Sequence, residues 1–347
     1  MTALLEIKQK LKGILGAYGF VVLPILRFVI AFLLFRWIGA NLGFMERLNQ
    51  NFVHGILSLI CAILPAGVTV ALALALILAH CYALSVEVVG VMGVLILLLA
   101  IFFLRFSADT LYVMAVTPLA LAFGFPVMLP IGSGLLSSTA SATSAGCGTV
   151  LYYFVRFIHG HSEVLGSTDV EPLQKVRILV DGLLQDWGMW ITVVAFILVI
   201  LLVHFVRTRS VDYAWRIAIV LGGVLYVAVM LGGSYYLSAT VDVAYLMGST
   251  VVAVLVGLVL EFFFFGGDYS RAERLEYEDD EYHYYVKAVP KATVAKGERM
   301  VKKINGQSPR EGRRGELPYG EGYYGEDDER RDREMERKLE ESLRDLL

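Results

Sequence analysis

Charge is what the first three quarters of this chain lack. Residues 1–266 hold 13 Lys and Arg and 12 Asp and Glu, whereas residues 267–347 hold 17 and 21. Charged residues reach only 18% overall, against roughly 25% in soluble globular proteins. That scarcity excludes an ordinary water-soluble body for residues 1–266. Cysteine is also scarce. Cys61, Cys81 and Cys147 all sit in apolar segments without metal-type spacing, so neither a disulfide framework nor a zinc site is expected. They read as small residues at packed positions. Phosphate-binding Gly-rich loops of the Walker type, HExxH and GxSxG are all missing. No catalytic residue, enzymatic activity, cofactor or metal is therefore expected, and no nucleic-acid partner.

What the chain has instead is apolar length: 57% hydrophobic residues and a mean hydropathy of +0.64. A membrane-crossing helix needs about 20 mostly apolar residues. Candidate spans lie near 18–39, 54–80, 86–104, 111–129, 137–158, 188–206, 217–237 and 243–265. The fifth is long enough only if it begins inside a run of small residues, near Ser137. The fold class expected is an all-α polytopic membrane protein of about eight transmembrane helices, with the lipid bilayer as its first partner. Residues 1–16 alternate Leu4, Leu5, Ile7 and Leu11 with Lys8, Lys10 and Lys12, as an amphipathic interfacial helix does.

Orientation follows from Lys and Arg in short loops. Lys8, Lys10 and Lys12 precede the first span, Arg207, Arg209 and Arg216 separate the sixth from the seventh, and Arg271 and Arg274 follow the eighth. Eight crossings put all three clusters on one side. This predicts a multi-pass plasma-membrane protein with both termini cytoplasmic and the 159–187 connection outside.

One stretch breaks the apolar pattern. In "PIGSGLLSSTASATSAGCGT", sixteen of the eighteen residues from Gly132 to Thr149 are Gly, Ala, Ser, Thr or Cys. Irregular backbone survives in lipid only when buried or lining water, and small residues let helices approach closely. Two readings follow: a tight helix seam, or a polar-lined constriction whose hydroxyls replace water around a solute. In the second, Ser137, Ser138, Thr139, Ser141, Thr143 and Ser144 line the path.

Intramembrane charge is costly and marks a site by default. Arg27, in "LPILRFVIAF", lies ten residues into the first span and should face the protein interior, paired or in contact with a solute. Arg105 and Asp109 are four apart near the outer end of the third span and read as a structural ion pair. "HGHSE" places His159, His161 and Glu163 at alternate positions of an extended loop. No second cluster completes a metal shell there, so a hydrated loop is expected.

The tail is of a different kind. Leu275, Tyr277, Tyr282, Tyr284 and Val286 alternate with polar residues around "EDDE", the pattern of a β-hairpin within a cytoplasmic segment 267–304. Residues 305–328 read as a disordered linker, and 329–347 as a charged helix with Met335, Leu339, Leu343 and Leu346 along one stripe. An isolated hairpin is marginal in water. Residues 271–347 are therefore expected to meet a cytoplasmic partner or another copy of the chain, with Tyr277, Tyr282, Tyr284, Met335, Leu339 and Leu343 as contacts.

"FPVMLPIGSGLLSSTASATSAGCGTVLYYFV" and "EYEDDEYHYYVKAVPK" together resemble a family of uncharacterised polytopic membrane proteins of anaerobic Gram-positive bacteria, some of them labelled transport permeases. The resemblance covers about half the chain. It implies a plasma-membrane location and a permease role, and supplies no substrate. Two functions are expected in that order: a permease or channel for a small solute, and a membrane scaffold acting through its tail.

Overall fold

A computed structural model describes residues 2–106, 110–209, 211–265, 273–278 and 282–288. The described residues are almost wholly α-helical. Twelve helices follow in order: α1 Thr2–Asn41, α2 Asn51–Ile63, α3 Ala66–Leu84, α4 Val86–Phe106, α5 Leu111–Ala122, α6 Met128–Leu136, α7 Ser141–Gly160, α8 Ser162–Gly166, α9 Pro172–Leu184, α10 Trp187–Arg207, α11 Ala214–Leu237 and α12 Val243–Leu260. A π-helical turn, Glu261–Phe265, closes α12. Five helical segments are long and apolar enough to cross a membrane: Gly16–Asn41, Ala66–Leu84, Trp187–Arg207, Ala214–Leu237 and Val243–Phe265.

The bundle has two distinguishable ends. At the first, Lys8 Nζ donates to the Phe262 carbonyl at 2.5 Å, Arg216 pairs with Glu261, and Arg207 reaches the Ser137 carbonyl. At the second, the His159 ring meets the Asn41 carbonyl and Trp37 stacks on Tyr152 with centroids 5.4 Å apart. These are called here the Lys8 end and the Asn41 end.

Two stretches expected as single crossings instead fold back on themselves. Residues 54–80 break at Leu64 and Pro65. Proline lacks the N–H a helix needs and pushes the residue before it into extended backbone, and Leu64 has φ −85° and ψ 161°. Accordingly α2 leaves the Asn41 end, where His54 lies against Gly39. From the break α3 comes back, with Gly67 near Leu111 at its start and His80 accepting the Met45 N–H near its finish.

Residues 111–129 reverse in the same way. The C-terminus of α5 closes with Phe125 N–H on the Ala120 carbonyl and Gly124 N–H on the Leu121 carbonyl. That pairing is a Schellman cap, which requires left-handed backbone at its glycine, and Gly124 has φ +81°. Pro126 follows, and α6 runs back to the Lys8 end. The pair thus enters at the Lys8 end and places its tip, Gly124, beside Tyr245 in the first turn of α12.

This reversal moves one expected position. With α3 returning to the Asn41 end and only Ser85 before α4, the last turn of α4, with Arg105, lies at the Lys8 end. Asp109 lies outside the described residues, as do Met335, Leu339 and Leu343.

Close approach is concentrated where the small residues lie. A β-carbon on Gly134 would stand 2.8 Å from Val203 Cβ, and one on Gly222 2.6 Å from Val203 Cγ2. One on Gly148 would meet Thr117 Cβ at 2.7 Å. Glycine therefore lets α6, α10 and α11 share one seam and lets α5 lie against α7. Behind these seams sit Phe196, Val199, Ile200 and Val203, all fully buried. Cys61, Cys81 and Cys147 are buried as well.

Beyond the helices, Glu273–Glu278 and His283–Ala288 pair antiparallel, with Leu275 opposite Val286 and Tyr277 opposite Tyr284. Tyr282 and Tyr284 are exposed, their rings 6.2 Å apart.

Candidate functional site

The eighteen-residue run of small side chains is divided by the structure into three parts. Ser137 to Ala140 form a non-helical break between α6 and α7, at the Lys8 end, where Ser138 and Thr139 are exposed. Inside the bundle most hydroxyls turn back on their own backbone, as they do when they carry no solute. Ser133 Oγ donates to the Leu129 carbonyl at 2.8 Å, Ser141 Oγ to Ser138 at 2.7 Å, and Thr149 Oγ1 to Ala145 at 2.8 Å. Ser144 shares a 2.7 Å hydrogen bond with Thr110 across α7 and α5. Thr143 is half-buried. In this conformation the run is a tight seam ending in an exposed break.

The break is closed by a cation. Arg207 Nη2 donates to the Ser137 carbonyl at 2.8 Å, with His204 Nδ1 at 3.1 Å from the same oxygen and the Trp215 ring under the guanidinium. Arg207 Nε stays buried without a partner. Loss of Arg207 leaves that carbonyl to the His204 ring, at a cost of about 1 kcal/mol. Arg207→Leu should lower the thermal midpoint of the purified protein accordingly. Arg207→Lys should recover part of the loss, since an ammonium can donate but cannot lie flat on Trp215.

Arg27 is half-buried near the middle of its span, its guanidinium 5.9 Å from the Tyr112 ring centroid. Among the described residues no carboxylate lies within ion-pair distance of it. The first turn of α5 separates it from the small-residue run: Tyr112 faces Arg27 while Thr110 faces Ser144.

The cavity with the richest chemistry is elsewhere. It lies at the Asn41 end between α7, α10, α11 and α12, floored by Leu121 and Pro126 from the α5–α6 tip, and holds about 260 Å³. Tyr152, Tyr153 and Arg156 come from α7, Thr192 from α10, Tyr226 from α11, and Tyr245 and Ser249 from α12. Arg156 is four residues after Tyr152, so one helical face carries both, and Arg156 Nη1 donates to Tyr152 Oη at 3.3 Å. Tyr153 Oη and Thr192 Oγ1 are 3.1 Å apart. Tyr226 is 2% exposed. The N-termini of α10 and α12 end beside the cavity, capped by Asp186 and Asp242 respectively.

No family model, curated protein or solved structure matches this chain.

Apart from Asp242, which reads from the sequence as a plain span end, none of the cavity's polar residues is among those singled out from the sequence. Their signal was faint: "LYYFVRF" and "VDVAYLMGS" read as ordinary span ends, and only the fold brings them together. A second unforeseen group is His54 and His80, both fully buried. His80 Nδ1 accepts the Met45 N–H at 3.1 Å, so neutral His80 carries its proton on Nε2, which has no partner. Asn49 Oδ1 is likewise unpartnered among the described residues. The extended "HGHSE" loop is helical instead. His159 turns to the Asn41 carbonyl, and His161 to the Phe157 carbonyl at 3.0 Å with its ring stacked on Phe157. Among the described residues no group of three or more His, Cys, Asp or Glu side chains converges on one point.

Proposed function

We propose that this chain is a multi-pass permease that takes a small solute into the cavity between α7, α10, α11 and α12. Six helices, α1, α4, α7, α10, α11 and α12, act as full crossings, while α3, long enough to cross, returns to the end from which the 13-residue α2 sets out. The pairs α2–α3 and α5–α6 enter and return from opposite faces. The basic residues Lys8, Lys10, Lys12, Arg207, Arg209 and Arg216 gather at the Lys8 end, which supports a cytoplasmic placement of that end and of both termini in the plasma membrane. The observation that carries the reading is the tip of a re-entering helix pair forming the floor of a polar, tyrosine-lined cavity. Broken helices meeting at a binding site are a recurring device of transporters, because their ends expose backbone groups where a solute sits.

In this reading the cavity is entered from the Asn41 end, and the close Gly134 and Gly222 seam on Val203 closes the way to the Lys8 end. Passage requires that seam to part. Ser137, Ser138, Thr139, Ser141, Thr143 and Ser144 then line the inner half of the path, and Arg27 supplies a cation near it. The resemblance to membrane proteins labelled permeases points the same way.

The test is flux in proteoliposomes carrying Thr240→Cys, whose thiol stands exposed on the cavity wall while the native cysteines are buried. Uptake of a mixed pool of labelled metabolites should exceed that of empty vesicles and fall at least tenfold after maleimide treatment. Uptake equal to that of empty vesicles would remove the permease reading. The scaffold reading would then gain, with the paired strands Glu273–Glu278 and His283–Ala288 as its contact surface.

A further inference from the structure

The hydrogen-bond donors left over around the cavity indicate what it holds. Thr192 Oγ1 spends its proton on the Gly188 carbonyl at 2.7 Å. In the 3.1 Å contact with Tyr153 it is therefore Tyr153 Oη that donates. Tyr152 Oη accepts from Arg156, which leaves its own proton unspent. Neither Tyr226 nor Tyr245 makes a hydrogen bond through Oη among the described residues. Three phenolic protons and the remaining N–H groups of Arg156 thus border one cavity with no hydrogen-bond acceptor of their own among the described residues.

The two carboxylates beside the cavity each commit one oxygen to the N-terminus of a helix. Asp242 Oδ1 takes the Ala244 and Tyr245 N–H groups at 2.9 and 3.1 Å, and Asp186 Oδ1 takes that of Met189 at 3.0 Å. Each charge is turned towards the positive end of its own helix. Ser249 Oγ donates to the Leu246 carbonyl at 3.1 Å. The rest of the wall, including Ile191, Met230 and Leu246, is apolar.

Resting on the solute-binding reading above, we propose that the cavity takes a small organic anion, a carboxylate on an apolar body. The carboxylate accepts from Arg156 and from the tyrosine hydroxyls, while the body lies against Ile191, Met230 and Leu246. Guanidinium and carboxylate match in geometry, and charge-assisted hydrogen bonds are about twice as strong as neutral ones. Size agrees. A cavity of about 150 Å³ accepts benzene, so 260 Å³ has room for an aryl or branched aliphatic acid.

Three probes of nearly one shape separate charge from fit: phenylacetate, phenylacetamide and phenethylamine, titrated calorimetrically into the purified full chain. Phenylacetate should bind at least tenfold more tightly than either of the others. Arg156→Gln should erase that preference, and so should Tyr226→Phe, whose missing hydroxyl has no partner in the free protein and so leaves the fold intact. Arg209→Gln, at the opposite end, should leave it unchanged. Equal affinity across the three, a preference for the amine or the amide, or binding of none overturns the proposal. Flux measured with the same probes keeps the two readings apart. Phenylacetate binding without transport would sink the permease and keep the anion site. Transport of the amide or amine but not the acid would do the reverse.

Discussion

Replacing Gly148 by leucine is expected to abolish the folded protein, seen as loss of the monodisperse peak in size exclusion and of any cooperative thermal transition. The reason is the distance between two backbones. A β-carbon at Gly148 would stand 2.7 Å from Thr117 Cβ and 2.9 Å from the Met114 carbonyl oxygen. The second is main chain, so no rotamer change relieves it. Nor can α5 retreat easily, since Tyr112 on its far side lies against Arg27 of α1. Retreat of α7 is blocked too, because a β-carbon at Gly146 on its other face already falls within 3.6 Å of Val193 Cγ1 on α10. Overpacking a dense core costs about 1–3 kcal/mol and more where the backbone must move. Parting α5 from α7 would also break the buried Thr110–Ser144 hydrogen bond. Gly90→Leu is the control, because nothing lies within 4 Å of its β-carbon position. A Gly148→Leu protein with an unchanged melting midpoint would show that the two helices are not in contact.

This seam also marks how far the sequence could be read. Apolar length locates most of the helices, because in lipid the same quantity decides both insertion and helix formation. It could not separate a crossing from a helix pair that turns back, since both bury a similar number of apolar residues. The turning points were visible as residues without their meaning being clear: Pro65 in one pair, Gly124 and Pro126 in the other. Small-residue richness in 132–149 is equally compatible with close packing and with a lined path. What separates them is the direction of each hydroxyl, and Ser133, Ser141 and Thr149 point to their own carbonyls. The cavity was illegible for another reason. Its polar groups come from three or more helices far apart in the chain, such as Tyr152, Thr192, Tyr226 and Tyr245, and each alone is an ordinary residue for a span. Arg27 stood out from composition alone, and its neighbour Tyr112 is an aromatic face that could have been any of many.

Arg216→Leu should be the most damaging single change at the Lys8 end. Arg216 Nε lies 3.0 Å from Glu261 Oε1 and 3.2 Å from Oε2. The exposures are unequal: the Glu261 side chain is 8% exposed and that of Arg216 58%. Removing the arginine therefore strands a carboxylate that cannot reach water, whereas the arginine alone could. Breaking a buried pair costs about 3–5 kcal/mol, and partial exposure of one partner reduces that towards about 2 kcal/mol. Glu261 also stands where α12 passes into its π-helical turn, one residue before the carbonyl that Lys8 holds. The pair thus fixes α11 to α12 beside the point where α1 joins them. Replacing both partners by leucine removes the charge along with its counter-ion, so Arg216→Leu/Glu261→Leu should recover most of the stability lost by Arg216→Leu. A thermal or denaturant double-mutant cycle measures this as a coupling of about 1–2 kcal/mol. Additive losses would mean that the two side chains act independently and that the α11–α12 junction is held by packing alone.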